Sequence, residues 1–253
     1  MTAIFFLPGP AMFACFVLFG AITYGLASLV LGMFERRAAA TPASVPVAPF
    51  FTAVTSAWAL SLGFAAADIW SVRADAQNYA SAEHSALTRL AGMAAPDALD
   101  VPAVLSGLAR YRDEVLAQEW GNSSQEPSGA VDNAIQDIRL AIISLARQDT
   151  PPSLVESFAR DFDELQDARN LRLANAESSV SEYKWYLLLF LTVLSTVAIA
   201  SVHADRPAAG RSALVIYIVA ATVSLWILAI HANPYGGMAR IDLDPVKLSL
   251  NGR

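Results

Sequence analysis

The chain has 253 residues, a mean hydropathy of +0.42 and 55% hydrophobic side chains, too apolar for an ordinary soluble domain. Its net charge of −6 gathers in the middle, where residues 71–184 carry 18 Asp and Glu against 10 Lys and Arg, a balance of −8. That acidic stretch argues against nucleic acid as a partner, and the single cysteine, Cys15, excludes an internal disulfide, a cysteine metal site and a c-type haem motif.

In chain order, "FFLPGP" is a proline-broken apolar lead-in expected at the membrane interface. A first span follows at about residues 11–34. "MTAIFFLPGP" lacks a basic n-region and the apolar run is long, so this segment reads as a retained helix and not a signal peptide. Small residues at Ala21, Gly25, Ser28 and Gly32, spaced by four or three, predict the face on which another helix packs. "ERRAAATPASVPVAP" then makes a short loop over 35–49.

From Phe50 to Met93 the chain has no proline and two glycines, Gly63 and, at its far end, Gly92, which predicts a single helix of about 66 Å at ~1.5 Å per residue. Its first half, 50–70, is a second span; its second half must stand in water. Ala53, Ala57, Ser61, Ala65 and Asp68 recur at spacings of four, four, four and three, predicting a packed stripe with Asp68 on it. Trp58 faces elsewhere, and Trp70 is placed as an interfacial anchor.

The extramembrane part reads as helices. The extension of span two is followed by helices over about 102–120 and 131–148, the latter with apolar positions 131, 135, 138, 142 and 145 forming a narrow seam. Ser153 and Glu156 predict a capping box for a fourth helix that continues into span three. Spans three and four cover about 185–202 and 213–231. The expected fold is an all-α membrane protein: four transmembrane helices, and an antiparallel four-helix bundle built from extensions of spans two and three plus two shorter helices. The corresponding division is 1–70 as a transmembrane pair, 71–184 as the bundle, 185–232 as a second pair and 233–253 as a short tail. Arg36, Arg37, Arg206 and Arg211 occupy the two short loops, which puts those loops in the cytoplasm of a bacterial inner membrane and the bundle and both termini in the periplasm.

No Ser-His-Asp pattern, phosphate-binding glycine loop or H-E-x-x-H motif occurs, and His84, His203 and His231 fall in three separate segments. The residues predict neither an enzyme, a metal site nor a cofactor. Asp68 either caps the membrane boundary or pairs with an extramembrane arginine, or else lines an ion path with Ala57, Ser61 and Ala65. Arg110 or Arg112, together with Arg169 or Arg172, should meet Glu83, Glu114 or Glu119 at helix seams, because an unpaired buried charge is expensive; an anion site built from these arginines is the alternative.

Together, "PFF…WALSLGFAAADIW", "RYRDEV…EW", "DARNLRL" and "ANPYGGMARIDLDP" resemble, in order and spacing, the bestrophin-like family of bacterial four-span membrane proteins, a domain of unknown function. The resemblance implies an all-helical membrane protein with kinship to chloride channels. Two features depart from bestrophins: the loop arginines favour a periplasmic bundle, and span two carries small residues ending in an aspartate where bestrophins have a bulky apolar neck. Two functions follow. One is an oligomeric ion channel lined by span two, which a ring of Asp68 would make cation-selective. The other is a non-catalytic accessory, scaffold or sensor subunit whose bundle binds a partner. Both place the protein in the lipid bilayer, as a homo-oligomer or as a subunit of a membrane complex.

Overall fold

The computed structural model describes residues 7–40, 48–120, 126–148, 150–177, 182–236 and 238–241. All regular structure among them is helical: α1 Gly9–Ala40, α2 Ala48–Ala94, α3 Pro102–Glu114 with a π-helical turn Val115–Glu119, α4 Gly129–Ala146, α5 Pro152–Glu177, α6 Glu182–Val202 and α7 Pro207–His231. Four of these are long and apolar enough to cross a membrane: Gly9–Arg37, Pro49–Ala94, Glu182–Val202 and Pro207–His231. The chain divides into two compact units, 1–71 with 180–233 and 72–179 with 234–253. Helix α2 runs through the division as one 47-residue element.

In the first unit, α1 packs closely on α7 and α6. The packed face of α1 is Met12, Phe16, Gly20, Thr23, Ala27 and Leu31, one helical row beside the expected stripe. Ala21 and Gly25 are exposed, and a Cβ built on Gly25 or Gly32 would touch nothing within 4 Å. At Gly20, by contrast, an added Cβ would lie 2.6 Å from Thr222 Oγ1, so this is where the backbones need a glycine to approach. A helix apolar all round gives its sequence no phase, and both rows contain small residues.

Lipid offers no hydrogen bonds, so polar side chains in the spans bond to their own helix. Thr192 Oγ1 donates to Leu188 O at 2.7 Å, Thr196 Oγ1 to Val193 O at 2.7 Å and Ser201 Oγ to Ala198 O at 2.9 Å. Helix α2 joins this unit through Phe51, Leu62, Ala65 and Ile69, and through Trp58, whose Nε1 donates to Thr192 Oγ1 at 2.9 Å. The Trp58 side is therefore the packed side of α2. Ala53 and Ala57 are exposed, contrary to the stripe expected from their spacing.

The second unit is a bundle of α2 from Val72 onward with α3, α4 and α5. Two contacts along each pair set the senses: Glu83–Arg172 and Arg89–Asp161 between α2 and α5, Asp132–Arg169 and Arg139–Gln166 between α4 and α5, and Arg110–Asp137 with Glu119–Ser128 between α3 with its π turn and the start of α4, so these neighbours are antiparallel. The α4 seam Val131, Ile135, Ile138, Ile142 and Leu145 is buried throughout. Helix α4 starts at an Ser128 cap, whose Oγ accepts from Ala130 N at 3.2 Å.

Three local readings change. Helix α3 does not run regularly to 120 but closes in the π turn, with Trp120 N donating to Val115 O at 2.8 Å. Helix α5 begins at Pro152, with Leu154 N donating to Pro151 O at 2.9 Å. Ser153 and Glu156 thus lie inside its first turn, because proline suits the first helical position and takes the start. The described tail residues are not a free segment: Tyr235 and Ile241 are buried with Ala76, and Arg73 Nη1 donates to Ala239 O. The expected run of α5 into span three falls on residues 178–181 and lies outside the described residues.

At Gly107 of α3, an added Cβ would sit 2.7 Å from Ile138 Cγ1 and 3.4 Å from its backbone N. Gly107→Val should lower the melting temperature in detergent, overpacking typically costing ~1–3 kcal/mol. Gly92→Ala, where nothing lies within 4 Å, should raise it slightly through helix propensity. Equal effects from the two would refute this packing.

Candidate functional site

Two groups of ionisable side chains stand out, one in each unit. In the bundle, five charged residues from four helices form a chain: Glu83 of α2, Arg172 of α5, Glu119 of the π turn, Arg169 of α5 and Asp132 of α4. Arg172 donates to Glu83 through Nε to Oε2 at 2.6 Å and Nη2 to Oε1 at 3.3 Å, and Nη2 also reaches Glu119 Oε2 at 3.0 Å. Arg169 Nε donates to Glu119 Oε2 at 3.2 Å, its Nη2 bonds Glu119 Oε1, and its Nη1 bonds Asp132 Oδ1 at 2.8 Å. The first four groups are buried, with side-chain exposures of 0–5%, whereas Asp132 is 57% exposed and carries the chain to solvent.

The remaining lone pairs are answered too. Tyr111 OH donates to Glu83 Oε1 at 2.7 Å, and Ser128 N donates to Glu119 Oε1 at 3.0 Å. The guanidinium carbon of Arg172 lies 5.5 Å from the Trp120 ring, whose other contact is the edge of Tyr235 at 5.8 Å. The π turn is what presents Glu119 and Trp120 together at this point.

Burial and then the Glu83 carboxylate push the Tyr111 hydroxyl well above its ordinary range. Burial alone would raise Glu119, but its bonds from Arg169 and Ser128 and the charge of Arg172 outweigh that and hold it below its ordinary value. Both arginines are raised by their carboxylates despite burial. No nucleophile is left free in the cluster, and no group of three or more His, Cys, Asp or Glu among the described residues could hold a metal. The cluster joins α2, α4, α5 and the π turn of the bundle.

The other candidates lie outside it. Arg110 bonds Asp137 at 2.7 Å with both side chains about half exposed, and Arg112 bonds Asp113 at 2.9 Å. Glu114 accepts from Gln118 Nε2 at 2.6 Å instead of from an arginine. The sequence offers no way to rank the four arginines, since all sit in charged stretches; Trp120 and Asp132 come in only through the π turn and the start of α4, and Tyr111 of α3 reads as an apolar-face residue whose hydroxyl has no partner visible in sequence.

In the membrane unit, Asp68 forms an ion pair with Lys184 of α6, with exposures of 41% and 49%. Its partner is thus a lysine of its own unit and not an extramembrane arginine. Two residues on, Trp70 stacks on His231 with centroids 5.8 Å apart and an interplanar angle of 14°. Ser61 is half buried and Ala65 buried, while Ala57 faces outward with Leu60 and Phe64, 61% and 63% exposed. Only 6% of the apolar window of α2 is buried, against 28%, 50% and 39% for α1, α6 and α7.

Residues 14–246 match the Bestrophin-like domain. The chain belongs to that family. Its fold matches solved structures of a bacterial bestrophin homolog from Klebsiella pneumoniae: a single-residue variant aligns with a TM-score of 0.75 at 15% identity, over 94% of this chain and 99% of that one. The same homolog phased on zinc aligns with a TM-score of 0.72 at 16% identity, over 90% and 93%. No curated protein matches the sequence. The bestrophin-like protein is therefore a membrane protein of all-helical bestrophin fold.

The cluster sets two expectations. Glu83→Ala should destabilise the protein by about 3–5 kcal/mol by leaving buried Arg172 with one carboxylate for two and the Tyr111 hydroxyl without its acceptor, whereas Arg110→Ala at the exposed pair should cost under ~1 kcal/mol. Thermal melts in one detergent will separate them, and similar losses would remove the buried chain from its central place. The second concerns pH. A lowered Glu119 stabilises the folded chain above the ordinary carboxyl value of 4.5 and loses that contribution as pH falls below it. A raised Tyr111 contributes below its ordinary 10.0 and loses that contribution as pH rises past it. Stability should show a plateau between these limits, and Glu119→Gln should lower the plateau and flatten its acid side.

Proposed function

We propose that this bestrophin-like protein is a homo-oligomeric ion channel of a bacterial inner membrane, without enzymatic activity, in which the exposed face of α2 lines the lumen. The observation that carries this is the mismatch on α2. Its span has the lowest hydropathy of the four candidate membrane helices and is the least covered within one chain. A helix of that kind is better matched to other copies and to water than to lipid. Its outward face offers Ala53, Ala57, Leu60, Phe64 and Ala67, small residues around two bulky ones. Leu60 and Phe64 form an apolar constriction that gates by excluding water.

The Asp68–Lys184 pair alters the selectivity argued from Asp68 alone. Each copy contributes one carboxylate and one ammonium at the same place, so the ring is close to neutral at a distance. Removing either partner unmasks the other. Bundle and termini lie in the periplasm, as the four loop arginines favour.

Reconstituted liposomes carry the test. Flux should exceed that of empty vesicles and rise with Phe64→Ala; Lys184→Gln should move the reversal potential toward cations and Asp68→Asn toward anions. A well-folded ring without flux at either voltage sign sinks the channel and leaves an accessory or scaffold subunit. Orientation is tested separately, in a chain with Cys15 removed. Gln136→Cys should label with an impermeant thiol reagent in intact cells, and Ala208→Cys only after permeabilisation; the reverse pattern inverts the topology.

A further inference from the structure

We infer that the groove between the last turns of α1 and helix α6 binds an anionic phospholipid. The groove has a volume of about 430 Å³ and is lined by Val30, Met33, Phe34, Arg36 and Arg37 of α1 and Val197 of α6. Its lining is four apolar side chains and two arginines. That is the division a phospholipid presents, an acyl chain attached to a charged head.

The depth fits. The membrane segment of α1 is 29 residues long, about 43 Å at ~1.5 Å per residue, against a hydrocarbon core of ~30 Å. Its final turns therefore stand at headgroup level, with the apolar lining just inside and the arginines outside. Arg36 and Arg37 make no ion pair or hydrogen bond with other described residues, whereas Arg206 at the neighbouring loop already faces Asp205 at 3.5 Å. The one carboxylate beside them in sequence, Glu35, does not line the groove.

Arginine suits the ligand. Its planar fork matches two phosphate oxygens, and its weak hydration lets it stay at an interface. Each basic side chain near an anionic surface is worth ~1 kcal/mol, about fivefold in affinity, so two should give a preference of about an order of magnitude or more. The inference needs only that the protein is in a membrane; it stands whether or not the protein conducts.

The test is native mass spectrometry of the full chain in a nonionic detergent, offered equimolar phosphatidylglycerol and phosphatidylcholine with the same acyl chains. Phosphatidylglycerol should be retained over phosphatidylcholine by about tenfold. Arg36→Gln with Arg37→Gln should abolish the preference while leaving the protein folded, since both side chains are exposed. Val197→Trp, which fills the groove and keeps the charges, should reduce retention of both lipids. Arg206→Gln with Arg211→Gln should leave the preference intact, and inorganic phosphate should not displace the lipid. Equal retention of the two lipids, equal loss in both arginine pairs, or displacement by phosphate alone would each overturn the site.

Discussion

The bundle depends on one constraint: four buried charges that must all be answered at once. Desolvating a carboxylate or a guanidinium costs several kcal/mol, and the attraction between them returns this only when every donor and acceptor is placed. Here they are. Glu83 spends its two oxygens on Arg172 and Tyr111, and Glu119 spends its own on Arg169, Arg172 and Ser128 N. Because the partners come from α2, α3, α4 and α5, a slip of any one helix leaves a charge unanswered, a penalty no shift in the apolar seam would incur. The ion chain sets the register of the bundle, and the apolar core of Leu90, Leu108, Ile138 and Leu165 fills around it.

Several irregularities follow from that constraint. The π turn is an unfavourable local geometry, tolerated because it carries Glu119 into the chain and Trp120 beside Arg172. Tyr111 is wholly buried although it has a hydroxyl, because Glu83 accepts the hydrogen bond it donates. Tyr235, near the end of the described chain, reaches the cluster through Trp120, and with Ile241 it is buried against the bundle at Ala76. The membrane unit is built on a different principle. Between helices in lipid there is little hydrophobic driving force, so close approach at Gly20 on Thr222 and hydrogen bonds such as Trp58 to Thr192 hold it together.

How far the sequence reveals this differs between the two units for physical reasons. Four spans and the helical bundle were legible because length and hydropathy decide them, and the α4 seam because its face is half polar. The packed face of α1 was not, since a helix apolar on all sides carries no phase. The small-residue stripe on α2 misled for the same reason: alanine suits a lumen, lipid and a helix contact alike. Glu83, Glu119, Arg169 and Arg172 were on the page as candidates, yet nothing in one dimension separates them from Arg110, Arg112 and Glu114. Which charges are buried is decided by the π turn, which is visible only in three dimensions.

The same limit bears on what the exposed face of α2 could select as a pore lining. An aspartate at the end of a span reads as a cation ring, but a carboxylate with an ammonium in hydrogen-bonding contact is a dipole. Its field falls off faster than that of a charge, and at physiological salt the Debye length of ~8 Å removes most of what remains. The uncovered residues of α2 deeper in the span are uncharged. An apolar constriction at Leu60 and Phe64 penalises loss of hydration for either sign of ion, so it acts on passage more than on choice. If α2 lines a pore, selectivity therefore rests on how completely Lys184 answers Asp68 in the assembled ring, and not on the presence of Asp68 itself.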